Sequence, residues 1–314
     1  MTTSLNRPAK TRTSVFTGHE TFHLRQTWIS KGLFAIKNRQ VNFDDTGAHH
    51  ELGIGINMLK SLGYWMQATG LARFTGAPKG EGFPFELTDI GQLVAEHDLY
   101  LEDIGTLWLI QMELASNKQF APLWYWVFNL LNTRDFTDEA VFEGYRRFLE
   151  DESRSVKSKA TEQRDLQCLK RTYAAGSRHT RPGSKEDLLD SPLGDLGLLK
   201  ESLIPGHYSL RIGGQRTLPL PIFAHSVFKY KEDYSLETST ISTDDLRWAP
   251  RSPGRVFCLD GASTLDLLEA LDTETNLIQL TRNEGISQIG FPRDQSSVSI
   301  LKQYYRGEFE RPND

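Results

Sequence analysis

Between Leu107 and Asn132 the chain crowds Trp108, Trp124, Trp126, Phe120 and Phe128 among Leu109, Ile110, Leu114, Leu123 and Val127. So much apolar surface cannot stay in water, because its burial stabilises by about 25 cal/mol per Å² removed. Its apolar runs also fall short of the roughly twenty residues that cross a bilayer. The stretch therefore predicts two buried helices at the centre of a helical core, onto which the rest of the chain packs. A platform for stacking bases is the alternative, but burial alone accounts for so dense a cluster.

At 314 residues the chain is long enough for two or three modules. The expected class is α+β and predominantly helical, with winged helix-turn-helix modules and a small C-terminal α/β region. Residues 1–14 read as a flexible basic tail carrying Arg7, Lys10 and Arg12. Residues 15–105 read as a winged helix-turn-helix-like DNA-binding domain. Residues 106–200 read as the helical core with a second, basic helix-turn-helix-like unit, and residues 201–314 as a C-terminal α/β domain. The opening MTTSLNRPAKTRTSVF lacks the apolar centre of a secretory signal. With no membrane span either, the expected compartment is the cytoplasm.

In the first module, apolar spacing predicts a helix from His19 to Ile36, with Phe22, Trp28, Ile29 and Leu33 inward and Gly32 awkwardly placed. Gly53 and Gly55 mark a tight corner, and INMLKSLGYWMQATGL reads as a second helix stopped by Gly70. Gly76, Pro78, Gly80 and Gly82 then separate two short candidate strands before a helix capped by Thr88 or Asp89. Helix, turn, helix, wing, helix is the order of a winged fold.

A formal net charge of -5 gives no global attraction for nucleic acid. Charge is nevertheless uneven, and a local basic face is enough to hold phosphates. From Arg154 to Lys185 nine cationic side chains stand against only Glu162 and Asp165. The helix SKATEQRDLQCLKRTY would bury Leu166 and Leu169 and turn Lys159, Gln163 and Arg164 outward. Lys157, Lys159, Gln163, Arg164, Lys170 and Arg171 are thus candidate DNA contacts, a solvated linker being the alternative. In the first module Asn57 could reach a base or sugar edge, with Lys60 and Ser61 on phosphate. An ordinary solvated helix face competes with that reading.

Toward the C-terminus, DLLDSPLGDLGLLKE reads as a turn and helix, and YSLRIGG with TLPLPIFAHSVF as a hairpin entering a helix. RVFCLDG reads as a strand, GASTLDLLEALDTET as a helix, and TNLIQL as a short helix before a turn and strand. No Walker motif or dinucleotide fingerprint occurs, so no nucleotide cofactor is expected. Cys168 and Cys258 lie apart without companions at metal-ligand spacing, which suggests structural packing rather than a disulfide or catalytic thiol.

HETFH, from His19 to His23, fits the HExxH formula of zinc hydrolases, although Gly18 places it at a helix entry. A second chemistry is open to the same residues. Glu20 with Asp44 and Asp45 could hold Mg2+ or Mn2+ through oxygen, with Arg25 and Lys31 steadying anionic oxygens and His19 moving a proton. Surface or interdomain salt bridges among these residues are the structural alternative. His49, His50 and Glu51 form another polar knot before the proposed turn.

Taken in order, FTGHETFHLRQTWISKGL, DDTGAHHELGIGINMLKSLGYW, ELTDIGQLV, YLEDIGTLWLIQMELA, WYWVFN, TEQRDLQCLKRTY and EDLLDSPLGDLGLL resemble a bacterial family. It is a family of formerly unknown function associated with DNA phosphorothioation, similar to the SspB DNA-nicking proteins. The matching segments span roughly residues 15–205, with weaker support from LPLPIFAHSVF and RVFCLDGAS. The resemblance implies a nickase that hydrolyses a phosphodiester bond to open one strand in a phage-defence system. Its implied partners are DNA, a cysteine desulfurase, an ATP-using sulfur-transfer enzyme and an ATPase. A homo-oligomer stays open. His19, Glu20, Arg25 and Lys31 in the first motif, and Asp44, Asp45, Asn57 and Lys60 in the second, are chemical choices rather than established correspondences. A non-catalytic winged-helix adaptor or transcriptional regulator is the competing function. A scaffold that never touches DNA is the third.

Overall fold

Apolar residues three and four positions apart give helix α1 (Gln26–Lys37) a continuous inner face of Trp28, Ile29, Leu33 and Ile36. This computed structural model describes residues 18–39, 47–75, 85–154, 158–173, 191–234, 240–283 and 286–309. Asp44, Asp45 and Lys157 lie outside those residues, as do residues 1–14 and the glycine-rich segment from Gly76 to Gly82. Helix α1 starts seven residues later than His19, where the apolar period placed it. His19 to Arg25 instead forms a turn and an extended lead-in, closed by the Phe22 N–H donating to the His19 carbonyl at 2.8 Å.

A short α2 (Ala48–Leu52) ends on Gly53 at φ 62°, a left-handed cap that glycine adopts without a side-chain clash. Helix α3 (Ile56–Ala68) then crosses α1 so closely that a Cβ on Gly32 would lie 2.7 Å from the Met66 Sδ. The glycine that looked awkward in the sequence is thus a packing requirement. Strands β1 (Ala72–Phe74) and β2 (Phe85–Leu87) pair antiparallel, Ala72 opposite Leu87. They lead to α4 (Asp89–His97), whose first turn is capped by Thr88 Oγ1 accepting from the Gly91 N–H at 3.0 Å. A ribbon and a helix follow α3, while the short α2 adds a helix before the glycine corner and the loop of the ribbon lies outside the described residues.

The aromatic stretch becomes α5 (Ile104–Ser116) and α6 (Pro122–Asn129), which pack against each other with Trp108 and Trp124 fully buried. Strand β3 (Asp135–Thr137) runs into α7 (Asp138–Asp151), where Thr137 accepts from the Ala140 N–H. Helix α8 (Lys159–Tyr173) follows. After it, a 3-10 turn at Pro192–Leu196 leads to β4 (Leu199–Glu201) and β5 (His207–Leu210), giving an antiparallel sheet of order β3-β5-β4. The expected helix from DLLDSPLGDLGLLKE is absent over the described part, and β5 pairs with β3 and β4 rather than with the Thr217 segment.

The remainder comprises α9 (Leu220–Asp233), β6 (Thr240–Ser242), α10 (Thr243–Trp248), α11 (Pro253–Val256), α12 (Gly261–Glu274), β7 (Gln279–Asn283), β8 (Ile286–Gly290) and α13 (Ser297–Arg306). The sheet is antiparallel, in order β6-β8-β7. Two expectations fail here. RVFCLDG is a helical turn and loop, because Ser252 caps α11 and Pro253 opens it. TNLIQL enters β7 instead of a helix, since Leu280 pairs with Ile289.

One apolar cluster runs from Leu24 to Leu301 with α5 and α6 at its middle. Gln111 on α5 ties three parts together, accepting from the Tyr173 hydroxyl of α8 and donating to the Val256 carbonyl. The Tyr304 hydroxyl of α13 donates to Asp103, the cap of α5, at 2.7 Å. Among the described residues no helix is long and apolar enough to cross a membrane.

Candidate nucleic-acid interface on helix α8

The sequence of α8 sorts its charges by face. Glu162, Asp165, Leu166 and Leu169, at helical spacing, are buried, whereas Lys159, Gln163, Arg164, Gln167 and Arg171 are exposed. Every inward charge has a partner. Glu162 receives both Nε and Nη2 of Arg146, at 2.9 and 2.5 Å, a bidentate pair. Lys170 donates to Asp138 at 2.5 Å and stands 4.1 Å from the Tyr208 ring centroid. Asp165 accepts from His19 Nε2 at 2.9 Å. By contrast, Lys159, Arg164 and Arg171 have no ion-pair partner among the described residues. Within the described residues these three charges face outward.

His19 carries the turn that faces this helix. The Thr21 N–H donates to its Nδ1 at 3.1 Å, which assigns the ring proton to Nε2 and directs it to Asp165. The imidazole is 2% exposed and packs edge-on against Tyr64 and Trp124, at centroid distances of 5.7 and 6.4 Å. Anchored this way, the turn holds Glu20 at φ 48° and Thr21 at φ 71°. That is a left-handed conformation which a β-branched threonine rarely adopts, and such strain persists only where the surroundings impose it. Glu20 is exposed beside the groove. Thr21 lines it together with Ala160, Gln163, Arg164, Gln167, Cys168 and Arg171, enclosing about 320 Å³.

An open groove with two arginines and two glutamines can bind a phosphodiester backbone, since guanidinium forks and amides both donate to phosphate oxygens. A thiol nucleophile is not part of it. Burial pushes the Cys168 thiol well above its ordinary range, and its Sγ donates to the Phe22 carbonyl at 3.3 Å. Burial likewise pushes Cys258 up to about 12. Neither supplies thiolate near neutrality.

The other candidates fall in different places. The zinc-hydrolase reading fails because His19 to His23 is not helical, and both nitrogens of His19 are engaged. Lys170 is turned inward and Ser61 is fully buried on α3, so neither reaches a phosphate. Arg25 lies 4.7 Å from the Trp28 ring centroid. Lys31 donates to the Leu52 carbonyl at the end of α2, at 3.0 Å. Asn57 and Lys60 are exposed on α3. The His49 and His50 rings lie close in α2, tilted by 39° with centroids 3.9 Å apart. Among the described residues no three acidic, histidine or cysteine side chains gather to hold a metal ion, and Glu20 is the one member of the proposed oxygen set that can be placed. Sequence reasoning missed Thr21, Gln167 and the structural role of Asp165. The helical period of Glu162, Asp165, Leu166 and Leu169 was the available signal for Asp165.

The family described as "Protein of unknown function (DUF4007)" matches residues 16–305. A solved structure of magnesium ion-bound SspB is similar at a TM-score of 0.82 and 26% identity, over 96% of this chain and 90% of that one. A second SspB crystal structure gives the same TM-score and coverage at 25% identity. No curated protein matches the chain by sequence.

Proposed function

The chain belongs to the DUF4007 family, and we propose that it is the DNA-engaging component of a cytoplasmic phosphorothioation system, a magnesium-assisted nickase that serves phage defence. The observation that carries DNA engagement is the division of α8 into a paired inner face and a cationic outer one that has no ion-pair partner among the described residues. Likeness to SspB over nearly the whole chain supports the phosphorothioation setting.

In this reading Lys159, Arg164 and Arg171 grip phosphates, while Gln163 and Gln167 donate to backbone or sugar oxygens. The helices and ribbon from α1 to α4 act as a winged unit that presents Asn57 and Lys60 to the same ligand. A neighbour that binds magnesium, and an exposed Glu20 beside the groove, together favour Glu20 as a carboxylate for that ion. Magnesium commonly takes one or two carboxylates with water and phosphate oxygens. When bound it would supply charge neutralisation and an activated water. The protein's own contribution is to fix the strained turn through His19 and Asp165 and to hold the backbone across α8. Its partners would be the cysteine desulfurase, sulfur-transfer enzyme and ATPase of that system.

Fluorescence anisotropy with a labelled duplex tests the interface. Arg164→Ala/Arg171→Ala should weaken binding at least tenfold at moderate salt while leaving thermal unfolding unchanged. Undiminished binding by that variant would remove α8 from the proposal. A non-catalytic adaptor would show the same binding, so strand scission must be measured separately.

A further inference from the structure

We propose that the β4–β5 hairpin is a wedge that enters duplex DNA between base pairs while α8 holds the backbone, an inference that rests on the DNA reading of α8. The hairpin tip, Ser202 to Gly206, is where water-facing polar residues would be ordinary. Instead Leu203 is 103% exposed and Ile204 59% exposed, and the exposed Pro205 follows them.

These side chains are displayed on a fixed support. The Ser202 N–H donates to the His207 carbonyl at 2.8 Å, and the His207 N–H donates to the Ile204 carbonyl at 3.1 Å. Gly206, at φ 78°, allows the reversal. β5 is hydrogen-bonded on both sides, to β4 and β3, so the tip projects from a three-stranded sheet.

The position of the hairpin supplies its partner. Tyr208, one residue beyond the tip's closing bond, receives the Lys170 ammonium over its ring at 4.1 Å. This contact sets the hairpin beside the last turn of α8, where Arg171 is exposed. Lys200 and His207 are exposed on the hairpin itself, and its anion, Glu201, accepts from the Tyr208 hydroxyl at 3.3 Å. An apolar tip beside cations complements a duplex, with phosphates outside and stacked apolar faces within. Leucine, isoleucine and proline are the kinds of side chain that unstack a base step and kink the helix. An anionic membrane would also attract cations near an apolar tip. It is disfavoured because the outer face of α8 is built of lysine, arginine and glutamine, with no apolar stripe to enter lipid.

The test uses the full chain and a short duplex with 2-aminopurine at successive central positions, its ends labelled for energy transfer. Wild-type protein should raise 2-aminopurine fluorescence severalfold at one or two positions and shorten the end-to-end distance. Leu203→Ser/Ile204→Ser, altering only exposed side chains, should bind within threefold of wild type yet lose most of both signals. Wild-type binding without unstacking, or unstacking undiminished in the double variant, would overturn the wedge while leaving the α8 interface standing. No wild-type binding at all would overturn both. Co-sedimentation with phosphatidylglycerol vesicles that is lost in the double variant, with unstacking unchanged, would assign the tip to membranes instead.

Discussion

Asp165 is a charge placed on the inner side of a helix, and a buried carboxylate needs a donor held in position. His19 is that donor, 146 residues away in the chain. Nothing local in HETFH announces the pairing, which is why the spacing suggested a metal motif. The backbone settles the matter, since the turn at Glu20 and Thr21 breaks the helix that HExxH requires. His19→Leu should cost roughly 3–5 kcal/mol in urea denaturation, because it strands a buried charge. His19→Leu/Asp165→Leu should recover much of that loss. Equal destabilisation by the double variant would show that the pair is not what stabilises the turn.

His225 gives a second test at this scale. It is fully buried with its Nδ1 on the Ser297 carbonyl at 2.8 Å, and burial lowers its pKa from 6.5 to about 4. Between those values the unfolded chain binds the proton and the native one does not. Stability therefore falls as pH drops from about 6.5 to about 4, by on the order of 3 kcal/mol from this group. Stability measured at pH 7 and pH 4 should show a smaller difference in His225→Asn than in wild type. An identical difference would mean that other groups set the slope.

The elements show what a sequence can and cannot disclose. The outward members Lys159, Gln163 and Arg164 were legible on α8 because its apolar period defines an inner face. Lys170 was not, since its role depends on Asp138 and Tyr208 from other elements. Counting cations alone groups Lys170 with Lys159 and Arg164, although it lies on the opposite, buried face. The mistaken strand at RVFCLDG has the opposite cause. Apolar residues there satisfy strand propensity, whereas the Ser252 cap and Pro253 start a helical turn. Glycines were equally double-edged: Gly91 lies where a Cβ would fall 1.9 Å from the Leu71 carbonyl oxygen, a tertiary constraint invisible in the sequence. If α8 contacts phosphate through Lys159, Arg164 and Arg171, neutralising all three should reduce the magnitude of the slope of log K against log salt by about 2.7 on duplex DNA. Lys170→Met should lower stability and leave that slope alone. A slope unchanged by the triple variant would contradict the division of faces.

Across the whole molecule, the central aromatic helices were the most legible feature, because burial dictated their place before any topology was known. The assembly around them was not. Contacts such as Tyr304 with Asp103 and Thr106 with Tyr305, each close to 200 residues apart, bring the last helix onto the start of α5. A groove formed by one turn and one distant helix is equally a product of that assembly, so its residues were found only in part. Nicking is tested by following supercoiled plasmid incubated with pure protein and magnesium, manganese or chelator, beside Glu20→Ala and Arg164→Ala/Arg171→Ala. A nickase of this kind converts the plasmid to open circles only with metal, and chelator or either variant abolishes the conversion. Supercoiled plasmid that stays intact while the protein binds it would contradict the nickase and leave a DNA-binding adaptor.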